Sequence, residues 1–216
     1  MENSSRPKLS LANILYYPFG CLIEFPLIPL GMLVMVALLG GYLYFWVNID
    51  LFGLGRPDYK NLQFNNTYTQ VQASNGLNWT ISYENPNESN YTGLVRFVSP
   101  IREDTVPFLT HDVLVTTGDF ANSDVVSTSV FDHHFSWSSA KTHSPGGTIN
   151  LIHAVPMNEG IYQQLMGIKN GQKVIIHGKE ILRIEGYQKT GGYLGKWEDS
   201  GCNSLLVTFV QIQKGQ

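Results

Sequence analysis

Asp132-His133-His134 is the densest run of acid-base or metal-binding side chains in the chain, and His111, His143, His153 and His177 add four more imidazoles. Imidazole and carboxylate together can hold a transition metal, or act as general acid and base near neutral pH. Spacing limits the run. In an extended strand side chains alternate, so Asp132 and His134 share a face while His133 points away, and at most one local pair can serve a metal. A phosphoesterase would also need several separated acidic motifs, and none is found. No metal centre and no other cofactor is therefore expected.

Cys202, in the run Asp199-Ser200-Gly201-Cys202-Asn203, is the candidate nucleophile. A thiolate needs a neighbouring base or positive charge to lower its pKa, and His153 or His177 would have to supply it from elsewhere in the fold. The alternative is a small residue opening the last strand, with Asp199 and Gly201 shaping the turn before it. Trp137 and Trp197 either fill a core or line a groove. Sequons begin at Asn3, Asn65, Asn78, Asn87 and Asn90. Four of them crowd into a stretch so rich in Asn and Thr that chance matches are expected.

The elements that must position these groups are short strands. Tyr68–Ala73, Trp79–Tyr83, Gly93–Ser99, Asp112–Thr117, Thr148–Ala154, Lys173–Ile184 and Ser204–Gln213 carry β-branched and aromatic residues, with alternation clearest in the last two. One amphipathic helix is predicted from Asn158 as N-cap through EGIYQQLMGI, with Ile161, Leu165 and Ile168 on one face. A second short helix is predicted over 122–127. Lys169-Asn170-Gly171 turns directly into the next strand, and Gly178 interrupts that strand as a bend or bulge would. The expectation is a β-rich (α+β) domain over residues 66–216, an OB-like small barrel with one packed helix.

Ahead of it, Pro26–Val47 contains no charged residue, and Tyr42, Tyr44, Phe45 and Trp46 gather at its end. That pattern predicts a transmembrane helix over 26–48, preceded by a tail and interfacial segment over 1–25 and followed by a linker over 49–65. Gly31, Gly40 and Gly41 offer surfaces for close helix packing in a membrane. Cys21 and Cys202 would then lie at different depths or on opposite sides, so no intrachain disulfide is expected. The chain has 14 Lys and Arg against 17 Asp and Glu. A domain this close to neutral lacks the basic surface that nucleic-acid binding needs.

The segments DVLVTTGDFANSDV, HFSWSS, NLIHAVPMNEGI and GIKNGQKVIIHGKEI occur in order and end in WEDSGCNSLLVTFVQI, with Trp197, Asp199, Gly201 and Cys202 ahead of the final strand. Over residues 111–213 the chain resembles a group of uncharacterised single-span proteobacterial membrane proteins with one extracytoplasmic domain. The resemblance implies a place in the cytoplasmic membrane with the C-terminal domain outside the cytoplasm, and no chemistry. The expected function is a non-catalytic accessory or assembly subunit whose partners are other membrane protein subunits and the lipid bilayer. A ligand-binding sensor, or a thiol-dependent hydrolase centred on Cys202, are the alternatives.

Overall fold

A computed structural model of the chain describes residues 27–45, 57–198 and 201–213, with side chains in the first of these stretches described over 31–42. The chain divides into two compact units, residues 1–52 and 53–216. In the first unit, helix α1 runs Leu27–Phe45. No helix among the described residues is long and apolar enough to cross a membrane. The expected transmembrane helix over 26–48 is corrected on that finding, and with it the single-pass anchor and the cytoplasmic-membrane location. At Gly31, Gly40 and Gly41 no described atom comes within 4 Å of where a Cβ would stand. The segment 1–25, including Cys21, lies outside the described residues.

The second unit is β-rich. Its strands are β1 (Leu62–Phe64), β2 (Gln70–Ala73), β3 (Asn78–Pro100), β4 (His111–Thr116), β5 (Ser127–Phe131) and β6 (His134–Ser138), then β7 (Ile149–Pro156), β8 (Lys173–Tyr187), β9 (Tyr193–Glu198) and β10 (Asn203–Gln213). Eight of them form one sheet in the order β1-β2-β3-β4-β7-β10-β8-β9, and β3 also pairs with β8. β5 and β6 form a separate two-stranded hairpin. The sheet is larger than the OB-like small barrel expected from the sequence: because β3 pairs both β4 and β8, the pairings β3-β4-β7-β10-β8 return on themselves, and β1, β2 and β9 lie outside that ring. β1 also falls inside the stretch expected to be linker.

The two runs expected as separate strands at 79–83 and 93–99 belong to one strand, β3, of 23 residues. It pairs β8 from Asn78 to Leu94 and β4 from Leu94 to Pro100. Its middle, ENPNESN, reads as loop by composition, yet pairing with β8 resumes at Glu88 after a register shift. Tertiary pairing here overrides weak local propensity.

Two cores result. Val95, Val113, Val115, Ile152, Val174, Ile176, Leu205 and Val207 converge from five strands and are closed by Ile161, Leu165 and Ile168. The second gathers Trp79, Phe108, Ile181, Ile184 and Leu206, with Trp79 donating its indole N–H to the Thr105 carbonyl at 2.7 Å. Ile161 and Leu165 come from α2, Glu159–Met166, and the Asn158 side chain accepts from the Ile161 amide at 3.0 Å as the expected N-cap. Asn158→Ala is expected to cost about 1 kcal/mol in chemical denaturation, the usual loss of one helix-capping acceptor. The second helix expected over 122–127 is instead a 3-10 turn at Gly118–Ala121, with Asn122 as its C-cap.

Candidate functional site

A polar cluster of the domain is built on three neighbouring strands, β4, β7 and β10. In the β4–β7 ladder Asp112 stands opposite His153, and in the parallel β7–β10 ladder His153 stands beside Ser204. Cross-strand partners put their side chains on one face. Three polar groups therefore form a row across the sheet, and all three are buried.

His133 reaches this row from outside the sheet. The β5–β6 hairpin turns through Asp132 and His133, whose φ angles are +49° and +60°. A two-residue turn of this kind needs left-handed backbone at both central positions, which Asn-Gly adopts easily and Asp-His adopts with strain. That turn carries the His133 ring onto the sheet. Its Nδ1 lies 2.9 Å from Asp112 Oδ2, and its Nε2 lies 3.3 Å from Glu103 Oε1. His153 Nδ1 lies 2.6 Å from Asp112 Oδ1, so the two carboxylate oxygens each hold one imidazole. Trp197 packs edge-on against both rings, at 5.5 Å from His133 and 5.2 Å from His153, and donates its N–H to Ser204 Oγ at 2.8 Å.

Burial alone would raise the Asp112 carboxyl, but the hydrogen bonds from His133 and His153 outweigh it and hold the group below the usual carboxylate range. Hydrogen bonds to Asp112 and then to Glu103 push His133 up to about 10, against the opposing effect of burial. At neutral pH His133 is thus an imidazolium held against Asp112, with Glu103 at its other nitrogen. On the opposite face of β4, burial lowers His111 to about 4 against the Asp112 charge, leaving a neutral imidazole beside Thr110 and Met166.

The residues singled out in the sequence are distributed unevenly about this cluster. His153 and Trp197 belong to it. Cys202 sits at its edge, its thiol donating to the His133 carbonyl at 3.6 Å, while His177, one of its expected bases, packs against Phe209. Asp132 and His134 are exposed on the hairpin, with His134 Nδ1 at 2.6 Å from the Asp132 carbonyl. His143 is exposed, and Asp199 lies outside the described residues. Trp137 is exposed on β6 and packs edge-on against Phe120 at 5.5 Å. Among the sequons, Asn65 is engaged in its own turn, accepting from the Thr69 and Gln70 amides.

Sequence reasoning missed Asp112 and Glu103 and set His133 aside. The carboxylate and imidazole nitrogens of Asp112, His133 and His153 lie within 4.8 Å of one another, close enough to share one cation. A depression of about 450 Å³ lies elsewhere, lined by Gln63, Asn65, Gln70, Gln72 and Asn78 together with Phe64 and Trp79. No family model matches the chain, and no curated protein matches it.

Proposed function

We propose that the β-domain is a non-catalytic interaction module, an accessory or assembly subunit that offers the β5–β6 hairpin to a protein partner. The observation that carries this reading is Phe131, which is 85% exposed at the hairpin tip. It directly precedes the strained Asp132-His133 turn that Asp112 and Glu103 hold down. A large aromatic ring costs free energy when left in water, and one presented on a fixed turn has the character of an interface anchor that fills a pocket on another protein. Phe131 and His134 face each other across the hairpin, among the exposed serines Ser129 and Ser136.

The test is native sizing and mass spectrometry of the protein extracted from its own cells, alongside Phe131→Ser. A stoichiometric partner that co-migrates with the wild type and is lost with Phe131→Ser, at unchanged thermal midpoint, is the expected result. A partner retained by Phe131→Ser, or none at all, sinks the reading. The amide-lined depression favours a second reading, a sensor for a small polar ligand. Such a ligand would raise the thermal midpoint in proportion to the logarithm of its concentration once that exceeds Kd.

A further inference from the structure

We infer that Asp112, His133 and His153 form a binding site for one divalent transition-metal cation of the zinc class, with Glu103 orienting the His133 ring. The inference goes beyond the interaction reading and does not depend on Phe131 or on any partner.

Three observations support it. The first is spacing. Metal–ligand bonds of about 2.0–2.2 Å in a tetrahedral site put ligand atoms roughly 3.5 Å apart. The ligand atoms of the three residues already lie within 4.8 Å of one another, so small side-chain rotations are enough.

The second is the surrounding shell. A histidine that ligates through one nitrogen usually donates from the other to a carboxylate, which fixes its tautomer and plane. His133 has this arrangement: Nδ1 faces Asp112, and Nε2 faces Glu103 at 3.3 Å. Trp197 packs against both imidazoles and is itself held by Ser204, which closes one side of the site. His133 and Glu103, each 27% exposed, leave the other side open for entry.

The third is the choice of residues. A buried ion pair in a sheet adds little stability over apolar residues of the same size. An acid and a histidine facing each other on β4 and β7, with strained backbone delivering a second histidine, therefore points to a ligand more than to stability. Two imidazoles and one carboxylate suit zinc, cobalt, nickel or ferrous iron, whereas calcium and magnesium prefer all-oxygen shells.

The test uses the whole protein, freed of metal by a chelator and titrated with Zn²⁺ by calorimetry and with Co²⁺ by visible absorption. One equivalent is expected to bind, with the intense ligand-field bands of a low-symmetry cobalt site. His133→Ala and His153→Ala should each abolish stoichiometric binding, and Glu103→Gln should weaken it about 10–100-fold. His134→Ala, on the exposed hairpin, should leave it unchanged. Because His153→Ala could fail to fold, His133→Ala at the hairpin tip is the deciding variant, its fold checked by circular dichroism. Absence of binding by the wild type, or binding by His133→Ala as tight as the wild type's, overturns the site. Unchanged binding by Glu103→Gln overturns the role given to Glu103. Because Phe131→Ser removes no ligand, it should bind metal normally, which separates failure of this inference from failure of the interaction reading.

Discussion

Replacing Asp112 by Asn is expected to destabilise the metal-free domain by about 3–5 kcal/mol, the cost of breaking a buried charge pair from one side. The carboxylate is the hub of the cluster, with one oxygen at each imidazole and a relative exposure of 5%. Asparagine keeps the shape but loses the charge, and only one of its two terminal atoms can still accept a hydrogen bond. His133 would then retain Glu103 alone as its counter-charge. In thermal unfolding the loss should appear as a drop on the order of 10 °C for a domain of this size. A variant in which Asp112, His133 and His153 all become apolar should recover much of that loss, since no unpaired buried polar group remains. If Asp112→Asn unfolds with the wild-type midpoint, the cluster does not hold the hairpin.

Gly178→Val should be at least as damaging. A Cβ on Gly178 would lie 2.3 Å from the Leu206 carbonyl oxygen and 2.7 Å from Leu205 Cγ. The first is a main-chain atom of the adjacent strand and cannot swing away, so relief requires opening the β8–β10 ladder near the Val207↔Gly178 pair. Overpacking of this kind costs about 1–3 kcal/mol where side chains can yield, and more where backbone must move. Denaturant titration should show a loss of about 3 kcal/mol or more, and a wild-type midpoint would contradict the close approach. Gly178 was marked in the sequence as a bend or bulge in its own strand. In the structure β8 runs straight through it, and the irregularity belongs to the facing strand, between Val207 and Phe209. A lone glycine in a strand signals crowding without saying which partner causes it.

The same contrast runs through the rest of the molecule. The α2 helix was legible because Asn158 caps a short stretch with a clear apolar face. Most of the strands were legible from β-branched alternation. The β5–β6 hairpin was not, since neither the serine-rich arms nor the Asp-His turn carries the usual Asn-Gly signature. That omission hid the site. His133 looks misdirected when Asp132, His133 and His134 are read as one continuous strand, and only the positive φ at the turn sends its ring to Asp112. Asp112 did leave a trace: a charged residue at the head of the apolar run Val113-Leu114-Val115, in a strand buried throughout, has to be paired. What the sequence could not supply was the partner, because His153 lies 41 positions away and Glu103 reaches the cluster only through His133. The apolar run at 26–48 was read in the opposite direction, as a membrane span, from composition alone. Among the described residues no helix is long and apolar enough to cross a membrane.

The β3–β8 ladder carries a consequence in time. Its outer pair, Asn78 and Tyr187, joins residues 109 positions apart, and the ladder extends as far as Leu94 and Lys173. Neither strand can find its partner until most of the domain has been synthesised, so the cost of closing that loop precedes the contacts that offset it. The domain therefore belongs with the slow folders, on the order of milliseconds to seconds. During synthesis β3 waits with its polar middle, Glu84 to Asn90, exposed. Proline, acids and amides in that segment are poor templates for strand aggregation, so the residues that make β3 hard to recognise also protect it while it is unpaired.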